Sequence, residues 1–254
     1  MKLNQAVIAQ ALTQGQALVF EEIDSTNEYL LTHHKTLPSG SLCVAEMQTA
    51  GRGRRGRQWY SPESQNVYFS MLWHYPTVEI PQLSSLSLVV AVIIAETFQA
   101  LNVPNIQIKW PNDIYHQGKK MGGILIESRM DKSGIYLVIG IGLNLGMQQV
   151  DEKVVTQAWS DLSDYQLDRS QLVAELAQRL QTALSSYPQT AFAPYIERWQ
   201  TFDIFRNQAV RLITENAEIH GISLGINEKG ELLLQQGEII RCFSVGEISL
   251  RSSC

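Results

Sequence analysis

Thiols are scarce in this sequence. Cys43, Cys242 and Cys254 are its three cysteines among 254 residues, at spacings too wide for a zinc knuckle or a small disulfide scaffold, and a cytoplasmic, reducing location is expected. Positive charge is in deficit. The 20 Lys and Arg against 25 Asp and Glu leave a net charge of −5, which argues against a general duplex-DNA binder, since such proteins present a broad basic face. The start, Met1-Lys2-Leu3-Asn4-Gln5, lacks an apolar signal core. The longest apolar stretch, around Leu86 to Ala95, reads as too short and too interrupted to span a bilayer, so no membrane partner is expected. The chain also has no P-loop, no His-Glu-x-x-His zinc pair, no Gly-x-Ser-x-Gly elbow, no internal repeat and no low-complexity tract. The usual nucleotide, metalloprotease and hydrolase templates are therefore missing.

What is present is a core and one basic loop. At 44% hydrophobic the chain can bury a large interior, and its length suits one domain plus a smaller one. Gln48-Thr49-Ala50-Gly51-Arg52-Gly53-Arg54-Arg55-Gly56-Arg57-Gln58-Trp59 sets four arginines and three glycines between two apolar runs. Glycines allow close backbone approach and guanidinium groups grip carboxylate and phosphate oxygens in pairs, so the loop suits an anion, a polyphosphate above all. A nuclear-import or nucleic-acid patch, or a plain solvated loop, fits the same residues.

Periodicity places a short helix at 4–13, a strand at Ala17 to Ile23 and a helix from Ser25 to Lys35. Strands at Leu42–Ala45 and Val67–Trp73 flank the arginine loop, and Gln82 to Leu101 reads as a buried helix. Ile106–Trp110, Gly123–Ser128 and Tyr136–Ile141 follow as strands, with turns at Tyr115 to Lys119 and Asp131 to Gly134. Helices are expected at Arg169–Tyr187 and Phe192–Trp199. From Asn207 onward short strands at Val210–Ile213, Glu218–Leu224, Leu232–Leu234, Ile239–Phe243 and Glu247–Leu250 predict a small β-barrel. The expected class is α+β, with a mixed, largely antiparallel sheet; the expected domains are 1–206 and 207–254.

Several short segments carry chemistry. Ser25 and Glu28 match a capping box, while Ser25, Thr26 and Asn27 together offer donors and acceptors to a small polar head group; both readings can hold. In Lys109-Trp110-Pro111-Asn112-Asp113 the proline interrupts a strand just ahead of two polar residues. A surface lysine, a core tryptophan and a turn pair would also explain them. Lys120, backed by Gly122 and Gly123, can place an ammonium at a strand mouth or serve as an ordinary edge lysine. Gly140-Ile141-Gly142-Leu143-Asn144 is a glycine-bearing strand end that fails as a dinucleotide fingerprint for want of a third glycine.

In this order the segments Asp24-Ser25-Thr26-Asn27, Gln48 with Gly51 to Gly56, Lys109 to Asp113, Lys120-Met121-Gly122-Gly123-Ile124-Leu125 and Gly140 to Asn144 closely resemble the biotin protein ligase family. The resemblance covers nearly the whole chain. It implies a class II synthetase-like catalytic domain followed by a small SH3-like β-barrel. It also implies two steps, attack of biotin carboxylate on the α-phosphorus of ATP with loss of pyrophosphate, then capture of biotinyl-5′-AMP by a lysine of a biotin carboxyl carrier protein. By motif, Ser25, Thr26, Asn27 and Gln48 would hold the ureido ring, with Arg52, Gly53, Arg54 and Lys120 also at biotin. Arg52, Arg54, Arg55, Trp59, Asn112, Lys120 and Asn144 would serve ATP, with Trp59 on the adenine. Arg54, Lys120 and Asp113 would be catalytic, Asp113 as base for the incoming amine. Mg²⁺ would come with ATP, with no protein ligands assigned.

About twenty residues precede Asp24, too few for the winged helix-turn-helix of family members that repress transcription, so DNA binding is not expected. Gly122 stands where the family often has alanine. The arginine loop is expected to be mobile until an anion binds, because its glycines ease motion and its arginines repel one another. The terminal β unit is expected to help hold ATP or the acceptor, and a sheet edge could pair two copies. Lipoate protein ligase shares the chemistry, a nucleic-acid-binding module would use Arg52 to Arg57, and a silent biotin binder would lack catalytic groups that are present here.

Overall fold

The strands expected on either side of the arginine loop are neighbours in a seven-stranded sheet. The protein was analysed as a computed structural model that describes residues 2–63, 66–78, 80–147, 157–214, 217–244 and 249–252. The strands are β1 (Ala17–Ile23), β2 (Leu42–Gln48), β3 (Val67–Tyr75), β4 (Ile106–Lys109), β5 (Asp113–His116), β6 (Lys119–Asp131) and β7 (Gly134–Leu143), in the order β1-β2-β3-β7-β6-β5-β4. The β1–β2 pair is parallel and the other five are antiparallel, as the expected class requires. A second, five-stranded antiparallel sheet holds β8 (Ala209–Ile213), β9 (Glu218–Ile226), β10 (Leu232–Gln236), β11 (Ile239–Phe243) and β12 (Ser249–Ser252), in the order β11-β10-β9-β8-β12. Glu247 and Ile248, the start of the last predicted strand, lie outside the described residues, as does Cys254.

Both faces of the large sheet are covered, so its central strands are apolar on both sides. Helices α1 (Gln5–Gln10), α3 (Leu86–Ala100), α4 (Arg169–Thr190) and α5 (Ile196–Phe202) share the main core with Phe69, Met71, Ile139 and Ile141. The opposite face meets α2 (Thr26–Thr32), where Leu30 and Leu31 pack on Cys43, Leu72 and Val138. Helix α3 buries eleven of its fifteen residues because it is apolar all round. One expectation is corrected here: a short helical turn (Ile80–Ser85) leads into α3, and Gln82–Ala100 together is long and apolar enough to cross a membrane by length and composition. Two thirds of it (67%) is buried in the protein.

A second difference concerns the turn expected at Tyr115 to Lys119: Asp113–His116 forms β5, and Lys119 already opens β6. Ile114 is fully buried, and the hairpin turn is confined to Gln117 and Gly118, both at positive φ (51° and 75°). The two sheets are joined where Ile204 N donates to Ile108 O at 3.0 Å and the Trp110 indole donates to Gly230 O at 3.1 Å.

One buried ion pair ties the beginning of the chain to α4. Arg169 donates to Glu46 at 2.7 Å, Leu3 N takes the other carboxylate oxygen at 2.7 Å, and both charged residues are only 8% exposed. Removing one partner strands a buried charge. Glu46→Ala is therefore expected to cost about 3–5 kcal/mol in urea unfolding, and a loss below about 1 kcal/mol would contradict this placement.

Candidate active site

The alternation of a β-strand decides where the sheet is hollow. On the α2 face β3 presents Tyr68, Ser70 and Leu72, β7 presents Gly142, Gly140 and Val138, and β6 presents Gly123, Leu125 and Glu127, in register across the three strands. Leu72 and Val138 make the apolar seat for α2. Beyond that seat the glycines leave no side chains, and other groups move in: a Cβ on Gly140 would lie 2.2 Å from Asn27 Oδ1, and one on Gly142 2.5 Å from Trp59 Nε1. The result is a cavity of about 640 Å³. Every site residue expected from the sequence lines it.

At one end stands a neutral polar cluster at the N-terminus of α2. Ser25 caps the helix by accepting from Glu28 N at 3.4 Å. The reciprocal half of the capping box is not formed: Ser25 N donates to Asp24 instead, and the Glu28 carboxylate pairs with Arg52. Thr26 donates to Gln48 Oε1 through both its N (2.9 Å) and its hydroxyl (3.1 Å). Ser70, fully buried, donates within 2.6–2.7 Å of Asn27 Oδ1 and Thr26 Oγ1, and Asn27 in turn donates to Glu127 at 2.8 Å. Protein partners thus fix these side chains.

At the other end the positive charges converge. Arg52 is held by Glu28 and, at 2.6 Å, by Glu127, so its repulsion from the other arginines is offset by protein carboxylates. Arg54 donates to Asn112 Oδ1 at 2.8 Å, and Asn112 is anchored by donating to Ile124 O at 2.7 Å. Burial and then Arg55 hold the Arg54 guanidinium below its ordinary pKa, with Asp113 acting in the opposite sense. Arg55 sits at φ 58°, a left-handed conformation uncommon for a residue with a Cβ, and Gly56 after it is also at positive φ, 68°. Lys120 pairs with Asp113 at 2.7 Å and lies 5.4 Å from the centre of the Trp59 ring. Asn144 is 4% exposed; its amide nitrogen donates to Ser160 O at 3.2 Å, while its Oδ1 and the Trp59 indole nitrogen are buried without a partner among the described residues. Buried, unpaired polar atoms in a cavity wall are costly and invite a ligand that completes them.

Lys109 corrects an option left open by the sequence, that of a surface charge. It is 4% exposed, lines the cavity and donates to the Tyr115 hydroxyl at 3.2 Å. Burial pushes its ammonium down to about 8; Asp113 opposes this, and Arg251, Lys120 and Arg57 add to it. Sequence reasoning gave no site role to Ser70, Glu127, Trp159 or Arg251. Ser70 could have been found as a polar residue inside an apolar strand. Arg251 had no local signal, since β12 reaches the cavity only after the chain has formed the second sheet. Among the described residues no group of three or more His, Cys, Asp and Glu stands ready for a metal.

Known proteins resemble this chain along its whole length. Residues 19–144 match the model of the biotin/lipoate A/B protein ligase family, and residues 205–251 match the biotin protein ligase C-terminal domain. The bifunctional ligase/repressor BirA of Escherichia coli strain K12 is 44% identical over 99% of this chain and 79% of its own length. The biotin–[acetyl-CoA-carboxylase] ligase of Paracoccus denitrificans is 31% identical over 84% of this chain and 91% of its own. Among solved structures, the biotin protein ligase from Aquifex aeolicus in complex with biotin and ATP superposes with a TM-score of 0.80 at 29% identity, over 93% of this chain and 99% of that one.

The depressed ammonium of Lys109 predicts that anion binding in the cavity depends on pH. At pH 8 it is about half charged, and a bound polyanion favours the charged form, so ATP binding should take up as much as about half a proton. Below about pH 6 the ammonium is already charged and the uptake should vanish. Calorimetry in buffers of different ionisation enthalpy measures this; no uptake at pH 8 would contradict the burial of Lys109 beside the bound anion.

Proposed function

We propose, from the fact that the chain belongs to the biotin protein ligase family, that it activates biotin with ATP as biotinyl-5′-AMP and passes the biotinyl group to a lysine of an acceptor protein. The observation that carries this reading is a single cavity with a neutral hydrogen-bonding cluster at one end and converging cations at the other. A cyclic urea has two N–H donors and a carbonyl acceptor, which Ser25, Thr26, Asn27 and Gln48 can complement. The dithiolane of lipoate has neither. A pocket built to hydrogen-bond a group discriminates strongly against an analogue without it, so biotin is favoured over lipoate.

In the first step a carboxylate must approach a phosphate. Fixed cations in a pocket shielded from water lower such a barrier by several kcal/mol, and Arg52, Arg54, Arg55 and Lys120 are the groups we assign to the phosphates and the biotin carboxylate, with Gly53 letting the loop backbone approach them. Arriving phosphate gives Lys120 an alternative to its pair with Asp113. The released Asp113 carboxylate then accepts the proton that the acceptor lysine must lose as its nitrogen attacks the acyl carbon of the mixed anhydride, whose C–O bond to phosphate breaks to release AMP. Trp59 would cover the adenine, and Asn144 Oδ1 would accept from its amino group, which supplies the missing partner. Asn112 keeps Arg54 in place. Mg²⁺, in this reading, enters with ATP and is held mainly by phosphates and waters.

We take residues 1–206 as the ligase unit and 207–254 as the SH3-like unit. The second unit places Leu250 and Arg251 in the cavity wall, which supports a part in holding ATP. The acceptor is read as a biotin carboxyl carrier domain such as that of acetyl-CoA carboxylase, and the reaction as cytoplasmic. The thiol of Cys43 is buried and pushed up to about 12, so it does not compete as a nucleophile. The repressor activity in the name of the Escherichia coli relative is not extended to this chain, whose clustered arginines are turned to a cavity within a protein of net charge −5.

Pyrophosphate exchange tests the first step. Labelled pyrophosphate should enter ATP when biotin is present, lipoate should give at most a few per cent of that rate, and Arg54→Ala should reduce it at least a hundredfold, in line with the loss of one preorganised electrostatic donor. Exchange with lipoate alone would move the chain to the sibling activity. Exchange with neither would remove the reading.

A further inference from the structure

The turn after β7 carries Asn144, and what holds that turn lies outside the cavity. Asn66, immediately before β3, is fully buried and does not line the cavity. Its Oδ1 accepts from Leu145 N at 2.9 Å and Gly146 N at 3.1 Å, the two amides that follow Asn144. Its Nδ2 donates to the Tyr68 hydroxyl at 2.9 Å and reaches Met147 Sδ at 3.4 Å. Arg169, already paired with Glu46, donates to the Asn66 backbone carbonyl at 3.1 Å, so the residue that fixes the turn is itself fixed.

We propose that Asn66 is a positioning residue for nucleotide binding, acting through Leu145 and Gly146 to set Asn144 in the cavity wall. The proposal rests on the reading that the cavity takes ATP. Without the Asn66 acceptor two buried backbone N–H groups lose their partner, and the turn relaxes to satisfy them. The turn is then left with Met147 N donating to Asp161 at 2.8 Å, and Asn144 shifts with it against its own bonds, N to Met121 O at 2.8 Å and Nδ2 to Ser160 O at 3.2 Å. The biotin cluster is carried by α2, the end of β2 and Ser70 of β3, and among the described residues it shares no hydrogen bond with this turn. A defect at Asn66 should therefore be selective for the nucleotide.

The test uses the full chain with biotin and, separately, an ATP analogue that cannot be cleaved between the α- and β-phosphates. Asn66→Ala should weaken the analogue at least tenfold and raise the KM for ATP to match, with biotin affinity and the rate at saturating ATP within about twofold of the original. Asn66→Ser, with a hydroxyl too short to span both amides, should shift in the same direction and serves if the alanine variant does not fold. Unchanged analogue affinity in the alanine or serine variant, or equal losses for biotin and analogue, would overturn the proposal. An unaltered protein that bound biotin but no analogue would overturn both the proposal and the reading beneath it.

Discussion

Keeping several cations together in one cavity, in the absence of the anion they suit, is the constraint on which this structure turns. Like charges a few ångströms apart in a medium of reduced dielectric repel by some kcal/mol, so each needs a partner or a neutral form. The chain provides them one by one. Arg52 has Glu28 and Glu127, Lys120 has Asp113, Arg54 rests on the amide of Asn112, and Lys109 relieves the strain by giving up its proton more readily. In the proposed reading, a phosphate that enters would replace internal partners rather than water. This is how a preorganised site keeps its groups aimed without solvent having to rearrange when charge develops.

The cavity itself follows from strand periodicity. A sheet covered on both faces should be filled everywhere, and here it is filled except where glycine falls on the α2 face of β6 and β7. Asn27 and Trp59 then come down on Gly140 and Gly142 at distances no side chain would allow. The same strands, one residue out of phase, send Ile139 and Ile141 into the main core. Scaffold and site are thus two sides of one backbone, and Asn66 and the Glu46–Arg169 pair steady both.

Much of this was legible in the sequence. The strands around the arginine loop, the buried helix and the short terminal strands all announce themselves through periodicity, because burial on a regular element leaves a regular trace. The site residues were legible as a set in fixed order rather than singly: Ser25 alone is a helix cap, and Lys109 alone passes for a surface charge. What stayed hidden depended on distance in sequence. Nothing local marks Arg251 as a wall of the cavity, Asn66 as the anchor of a turn some eighty residues later, or Glu127 as the partner of Arg52. The short strand at Asp113–His116 was obscured because its polar start serves the cavity while Ile114 serves the core.

In the proposed reading these groups together carry biotin onto another protein. Mass spectrometry of a biotin carboxyl carrier domain, incubated with the purified chain, biotin and Mg-ATP, tests it most directly. A single biotinyl adduct on the acceptor lysine, absent when ATP or biotin is omitted and strongly reduced with Lys120→Ala, is the expected result. An unmodified acceptor, under conditions in which the chain is folded and binds both small substrates, would contradict it.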